Sequence, residues 1–171
     1  AVAPEDSRAF LEYGLALAAA GEDHDALPQL VMAKSRPPVD PQVYLAMGKS
    51  FFRLRRYDEA VEMFDKYREL RPSDPTAPQL AGRIWLAKEM PQRAIDEFVV
   101  AFDNSPGSKS IFSDMLKACD QLGRPSETAR ILARVVQHHP DNADIHEALA
   151  RTYDTLDQSQ KAESHRKKAK E

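Results

Sequence analysis

The feature that most constrains this chain is a periodicity of 34 residues that runs through nearly all of its 171 positions. Aligned from Ser7, the chain falls into five rows without insertion or deletion: residues 7–40, 41–74, 75–108, 109–142 and 143–171. Such a period is typical of repeat architectures, in which each unit buries its apolar face against its neighbours. The sequence therefore predicts a lead-in over residues 1–6 and a single repeat domain over residues 7–171.

Small and large residues alternate by column within the rows. The eighth column holds Gly14, Gly48, Gly82, Leu116 and Ala150, and the twentieth holds Ala26, Ala60, Ala94, Thr128 and Ala162. The eleventh column holds Leu17, Phe51, Trp85, Cys119 and Tyr153, and the twenty-fourth holds Leu30, Phe64, Phe98 and Leu132. Apolar spacings of three, four and seven residues in each half-row predict two helices per row. The small residues allow these helices to approach closely, so that the large residues interdigitate.

Proline marks the end of each row. The thirty-second column holds Pro38, Pro72, Pro106 and Pro140. Because proline cannot continue a helix interior, each is expected to end the second helix of its row. Asp40-Pro41 and Asp74-Pro75 then place an N-cap and a first-turn proline at the next helix start, and Asn142 repeats the capping residue.

This pattern resembles the tetratricopeptide repeat family. The best match is the second row, which reads Tyr44-x-x-Met47-Gly48-x-x-Phe51, then Tyr57-Asp58-Glu59-Ala60-x-x-x-Phe64, and closes with Pro72. The resemblance covers the chain from residue 7 onward, and repeat four departs from it most, at Cys119 and Thr128. It implies an all-α fold, namely a right-handed superhelical α-solenoid of five helix–turn–helix repeats.

The resemblance also implies a groove lined by the first helix of each repeat, across which ligands lie. The ninth column of that helix should face inward, and it holds Leu15, Lys49, Arg83, Lys117 and Arg151. Four successive basic residues predict a row of positive charge that binds acidic side chains of an extended peptide. The alternative is that this column is solvated, with its cations paired to nearby carboxylates such as Asp114 or Asp120.

The N-terminal part of the predicted groove is apolar. It offers Leu11, Leu15, Leu45 and Phe52, which we expect to hold an apolar anchor of the partner. The alternative is that these leucines pack between neighbouring first helices. The predicted partner is thus a protein or peptide with acidic side chains and an apolar anchor.

Motifs of catalysis are missing from the sequence. It contains no Gly-rich phosphate loop, G-x-S-x-G, H-E-x-x-H or C-x-x-C, so we predict no enzyme activity, catalytic residue, cofactor or metal site. His138, His139 and His146 surround a turn that holds Asp141, but their spacing matches no standard ligand set and favours packed or solvated histidines. Cys119 lies in a core column and is expected to be buried.

Charge and hydropathy exclude two classes of partner. A net charge of −3 does not favour nucleic-acid binding, and no apolar run is long enough for membrane insertion. The abundance of alanine and arginine indicates a bacterium with a GC-rich genome. No targeting segment is visible, so the sequence leaves cytoplasm and bacterial envelope both open.

Three functions remain after these exclusions. The first is a non-catalytic scaffold that binds a partner segment in the groove. The second is a regulatory or substrate-presenting arm of a larger bacterial enzyme, such as a glycosyltransferase, a sulfotransferase or a sensor kinase. The third is self-association, in which residues 1–6 enter the groove of a neighbouring copy.

Overall fold

The computed structural model describes residues 4–171, with side chains from Ser7 onward, and this part of the chain is all-α. It contains no strand, and its ten helices are α1 (Pro4–Ala19), α2 (Asp23–Lys34), α3 (Pro41–Arg53), α4 (Tyr57–Leu70), α5 (Thr76–Ala87), α6 (Pro91–Asn104), α7 (Lys109–Leu122), α8 (Pro125–His138), α9 (Ala143–Thr155) and α10 (Ser159–Lys168). Each 34-residue row holds one pair of helices, which confirms the predicted all-α repeat fold class. α1 begins three residues before the predicted start of repeat one.

The predicted capping residues act at the helix starts. Asp40 accepts a hydrogen bond from the backbone N–H of Gln42 at 2.8 Å, and Asn142 accepts one from Ile145 at 3.3 Å. The prediction for Pro75 was one residue early, because α5 begins at Thr76. Asp74 nevertheless accepts from the backbone N–H of Thr76 at 2.8 Å, so its carboxylate still satisfies a free donor of the first turn.

Residues 1–89 form one compact unit, the N-terminal unit, which contains α1 to α5. Within it α1 packs on α2 and α3 on α4, and each second helix also packs on the next first helix. The largest side chains of its core are almost fully enclosed, namely Leu30, Phe64, Tyr67 and Ile84. Gly48 faces the Phe64 ring so closely that a Cβ atom there would lie 2.4 Å from Phe64 Cε1.

A partly buried ion pair joins two distant parts of the N-terminal unit. Arg53 at the end of α3 donates from Nε to Asp23 at 2.7 Å, and its guanidinium also donates to the second oxygen of that carboxylate. A further bond, of 3.1 Å, reaches the carbonyl of Ala18. The hydrogen bonds from Arg53 lower the pKa of Asp23 although burial opposes the shift. The pair therefore ties the α1–α2 turn to α3.

Residues 90–171 form a second compact unit, the C-terminal unit, which contains α6 to α10. α6 packs on α7, α8 on α9, and α9 on α10. Its core is built from enclosed apolar side chains that include Phe98, Phe102, Met115, Leu132 and Leu149. No helix among residues 4–171 is long and apolar enough to cross a bilayer. The assignment of residues 7–171 to a single domain stays a prediction.

Candidate partner-binding surfaces

The first helices of the N-terminal unit are neighbours, because α1 contacts α3 and α3 contacts α5. Leu11 and Leu45, predicted to face a partner, are only 8% and 7% exposed and belong to the core cluster. The alternative interpretation, packing of leucines inside the unit, therefore describes these two residues. Phe52 is half-buried with its ring 6.0 Å from that of Tyr57, whereas Leu15 remains 39% exposed.

A cavity of about 480 Å³ opens on this surface of the N-terminal unit. It lies between α1, the start of α3 and the turn that joins α2 to α3. Its lining includes Arg8, Leu11, Glu12, Leu15, Arg36 and Gln42. The two leucines provide apolar walls, while the Arg36 guanidinium stacks 4.5 Å above the Phe10 ring. The cavity is therefore apolar inside and charged at its rim.

The basic residues of column nine in the N-terminal unit are Lys49 and Arg83, and both are half-buried. Lys49 lies in the electrostatic field of Asp74. Burial raises the pKa of Asp74, but hydrogen bonds from Tyr67 and Thr76 and the charge of Lys49 outweigh it, so the net shift is downward. Lys49 thus interacts with a carboxylate of its own unit.

In the C-terminal unit the column-nine residues pair with carboxylates one turn earlier on their own helices. Lys117 Nζ lies 3.4 Å from Asp114 Oδ1, and Arg151 lies 4.0 Å from Glu147. The side chains of Lys117 and Arg151 are 67% and 66% exposed. The Arg151–Glu147 pair is exposed on both sides and contributes little stability, so an incoming carboxylate can replace Glu147 at small cost. Asp114 is buried, so a partner carboxylate would bind the exposed Lys117 ammonium beside it rather than displace it.

Two further cavities lie beside α7 and α9. One of about 380 Å³ lies at the end of α7 and the start of α8, and one of about 190 Å³ lies near the starts of α7 and α9. Leu116 and Arg151 line both, and the larger cavity is also lined by Cys119, Asp120, Arg124, Thr128 and Thr152. Sequence reasoning did not assign Leu116, Arg124 or Thr152 to a site. The sequence signal that could have indicated this cavity is the departure of repeat four from the repeat pattern. Cys119 replaces the large residue that the other repeats have in column eleven, and it lines the cavity.

Cys119 is buried, as its core column predicted, with 2% of its surface exposed. Burial raises its pKa to about 11 from an ordinary value of 9.0. We therefore expect the native chain to react with an aromatic disulfide reagent at pH 8 about 100-fold more slowly than the urea-unfolded chain, because the thiolate is the reactive form. Equal rates in both states, followed by absorbance, would contradict this prediction.

The histidines near the α8–α9 turn lie in two places: His138 and His139 lie beside Asp103, and His146 lies beside His165. His139 Nε2 lies 2.9 Å from Asp103 Oδ1, whereas His146 is buried with its Nε2 2.7 Å from the carbonyl of Pro140. His146 Nδ1 lies 2.8 Å from His165 Nδ1. Burial, with His146 and Lys168, lowers the pKa of His165. Among the described residues, no group of three or more His, Cys, Asp or Glu side chains could hold a metal ion.

A family model for the tetratricopeptide repeat matches residues 45–109. The match covers most of repeat two and all of repeat three. Tetratricopeptide repeat folds are typically protein-interaction scaffolds without catalytic activity.

One relative in sequence is the cellulose synthase 2 operon protein C of Komagataeibacter xylinus. It is 29% identical over 152 residues, which are 86% of this chain and 10% of that protein. This chain therefore corresponds to about one tenth of the length of that relative.

Solved structures of MamA share the fold. A MamA RS-1 ArsTM double mutant has a TM-score of 0.68 at 21% identity, with 96% of this chain and 92% of that chain covered. MamA from Desulfovibrio magneticus RS-1, beginning at its residue 41, has a TM-score of 0.67 at 20% identity, with 96% and 93% covered. At these identities the likeness establishes the fold alone.

Proposed function

We propose that this chain is a non-catalytic interaction scaffold that binds an extended segment of a partner protein on its first-helix surfaces. The observation that carries the proposal is that each unit has an open cavity beside its first helices. In the N-terminal unit the cavity is lined by Leu11 and Leu15, and in the C-terminal unit by Leu116 and Arg151. Cavities between helices of a repeat scaffold are common sites for side chains of bound peptides.

The N-terminal cavity suits an apolar anchor of the partner. Leu15 is 39% exposed there, and a side chain of leucine or phenylalanine size would cover it. Burying such a side chain contributes roughly 1.5–3 kcal/mol, which is enough to anchor a peptide segment but too little to bind it alone. Leu11 and Leu45 contribute to this site mainly as the packed support beneath the surface.

The basic residues of column nine suit acidic side chains of the partner. Lys117 and Arg151 hold their own carboxylates at 3.4 and 4.0 Å, so neither is engaged in a short ion pair. A partner carboxylate that bridges to the arginine guanidinium can form two parallel hydrogen bonds, which Glu147 does not achieve at this distance. The partner is therefore expected to be an acidic segment with at least one large apolar residue.

A charge-reversal variant tests this proposal. We expect the triple variant Lys49→Glu, Lys117→Glu, Arg151→Glu to lose the partner that the unmodified chain captures from source lysate. With the captured partner purified, the Kd should rise at least about tenfold, equivalent to about 1.4 kcal/mol. The affinity of both forms is to be measured by titration calorimetry.

The matched control reverses the same number of charges on second helices. Lys66, Arg130 and Lys161 are exposed residues of α4, α8 and α10, and we expect their triple change to glutamate to leave the Kd within about twofold. Equal weakening in both variants would indicate general charge attraction. Unchanged binding in the column-nine variant would remove these surfaces from the proposal.

A second function is favoured by one comparison. The chain corresponds to 10% of the Komagataeibacter protein, whose name refers to a cellulose synthase operon. This supports the alternative that the repeats are a regulatory or substrate-presenting arm of a larger bacterial enzyme, such as a glycosyltransferase, a sulfotransferase or a sensor kinase. An open reading frame without any catalytic domain would exclude it.

Self-association remains a proposal as well. The segment assigned to it, residues 1–6, lies outside the residues whose side chains the structure describes. Light scattering over a concentration series tests it, and a monomer at every concentration would contradict it.

A further inference from the structure

Two columns of the first helices are buried in repeats two to five and exposed in repeat one. In column seven, Met47, Ala81, Met115 and Leu149 are at most 4% exposed, whereas Tyr13 is 57% exposed. In column three, Val43, Ala77, Ile111 and Ile145 are at most 2% exposed, whereas Ala9 is exposed. Column ten behaves alike in repeats two to four, where Ser50, Ile84 and Ala118 are buried while Ala16 is exposed.

The element that covers these columns in the later repeats is always the same. The second helix of one repeat packs on the first helix of the next: α2 on α3, α4 on α5, α6 on α7, and α8 on α9. Among the described residues no helix precedes α1. Ala9 and Tyr13 therefore present to solvent a face that four equivalent helices bury, and Ala16 lies at a column that three of them bury.

The chemistry of this face matches its equivalents. It consists of two small residues and one aromatic residue, with no charged side chain at the three columns. Val31 of α2 is also 45% exposed, whereas the residues of its column in repeats two to four are half-buried. A solvated helix face would have no reason to keep alanine and tyrosine at the columns that pack elsewhere.

We propose that the face of α1 formed by Ala9, Tyr13 and Ala16 docks the second helix of a further tetratricopeptide repeat on its N-terminal side. The docked helix is expected to present an apolar side, as α4 does with Met63 and Tyr67. This surface differs from the first-helix cavities, so the inference is independent of the proposed peptide binding.

A second copy of the chain packed head to tail does not meet this requirement. α10 carries four basic residues in its last turn, His165, Arg166, Lys167 and Lys168, and buries Ala162. Docking α10 on Tyr13 would bring this charge against an apolar face, which is costly.

An in-register graft tests the proposal. A second copy of residues 41–74 is placed directly before Ser7 in exchange for residues 1–6, so that the copied α4 precedes α1 at the native 34-residue spacing. We expect amide exchange in residues 7–19 to slow by about tenfold or more, because α1 then has the neighbour that protects the later first helices. Hydrogen exchange with mass spectrometry measures this, and unchanged exchange would overturn the proposal.

The matched control carries Tyr13→Glu and Ala16→Glu in the same graft. These exposed positions tolerate glutamate in the ungrafted chain, which is measured in parallel. The protection should disappear in the control, and equal protection with and without the glutamates would overturn the proposal. If the graft does not fold, residues 41–74 are added as a separate peptide, and Tyr13 ring resonances that do not shift in NMR count against the docking face.

The last measurement tests whether the ungrafted chain forms a dimer through this face. Sedimentation should show no dimer that depends on Tyr13. A dimer that the Tyr13→Glu variant abolishes would assign this face to a second copy and would replace the proposal.

Discussion

Replacing Gly48 by alanine is expected to destabilise the N-terminal unit by about 2 kcal/mol. The added Cβ would lie 2.4 and 2.6 Å from Cε1 and Cδ1 of Phe64, whose side chain is 1% exposed and has no free space to enter. Overpacking of this kind costs up to about 3 kcal/mol, and the better helix propensity of alanine returns about 1 kcal/mol. Thermal unfolding should show a decrease in Tm of roughly 4–8 °C.

Two further variants serve as a control and a rescue for this prediction. Gly107→Ala adds a Cβ with no atom within 4 Å, so its Tm should stay close to that of the unmodified chain. Phe64→Leu in the Gly48→Ala background should recover part of the loss, because the smaller side chain vacates the contested volume. A Gly48→Ala chain as stable as the parent would show that the close approach of α3 and α4 is not required.

The second large effect concerns the ion pair between Arg53 and Asp23. We expect Arg53→Met to cost about 2 kcal/mol at pH 7, because it leaves a carboxylate that is 6% exposed without its guanidinium partner. We expect a smaller loss of stability than for a fully buried ion pair, because the Arg53 side chain is 42% exposed. Methionine retains the apolar stem, so the change reports the charge rather than packing.

The pH dependence of this variant follows from the pKa of Asp23. Since the folded-state pKa of Asp23 is lowered, the pair stabilises the fold fully above the unfolded pKa of about 4, and that contribution is lost as the pH falls through the folded value. Urea unfolding should therefore show a difference in the free energy of unfolding between the unmodified chain and the Arg53→Met variant, and this difference should become smaller below pH 4. If this difference in the free energy of unfolding did not depend on pH, the effect of the substitution would be due to packing.

The exposed pair of Lys66 and Glu69 supplies the control for Arg53. Its atoms are 3.1 Å apart, and both side chains are about half exposed or more. Lys66→Met is expected to change stability by less than about 0.5 kcal/mol, without the acid-dependent narrowing. A loss as large as that of Arg53→Met would mean that burial of the carboxylate is not the cause.

Contacts between the two helices of a repeat could be predicted well. The small eighth column and the large twenty-fourth predicted a close approach, and Gly48 against Phe64 is such a contact. The caps at Asp40 and Asn142 were equally predictable, because a capping side chain bonds to a backbone group within three residues. These features depend on residues that are near in the sequence.

Contacts between repeats were harder to predict. Leu11 and Leu15 are both leucines on α1, four residues apart, but they are 8% and 39% exposed. Helical periodicity places both on one side of α1, but it does not show how far the neighbouring first helix covers that side. For the same reason Leu45 was expected on a binding surface and lies in the core.

The amino-acid sequence by itself determined the number of helices, their approximate bounds and their pairing, because helix periodicity, capping and proline act over a few residues. Only the tertiary structure decided that Asp23 meets Arg53 thirty residues later, that Cys119 borders a cavity, and that Tyr13 lies on an uncovered face. Burial and ion pairing depend on which atoms of other helices arrive at a side chain. A repeat period specifies the order of those helices but not the volume each one occupies.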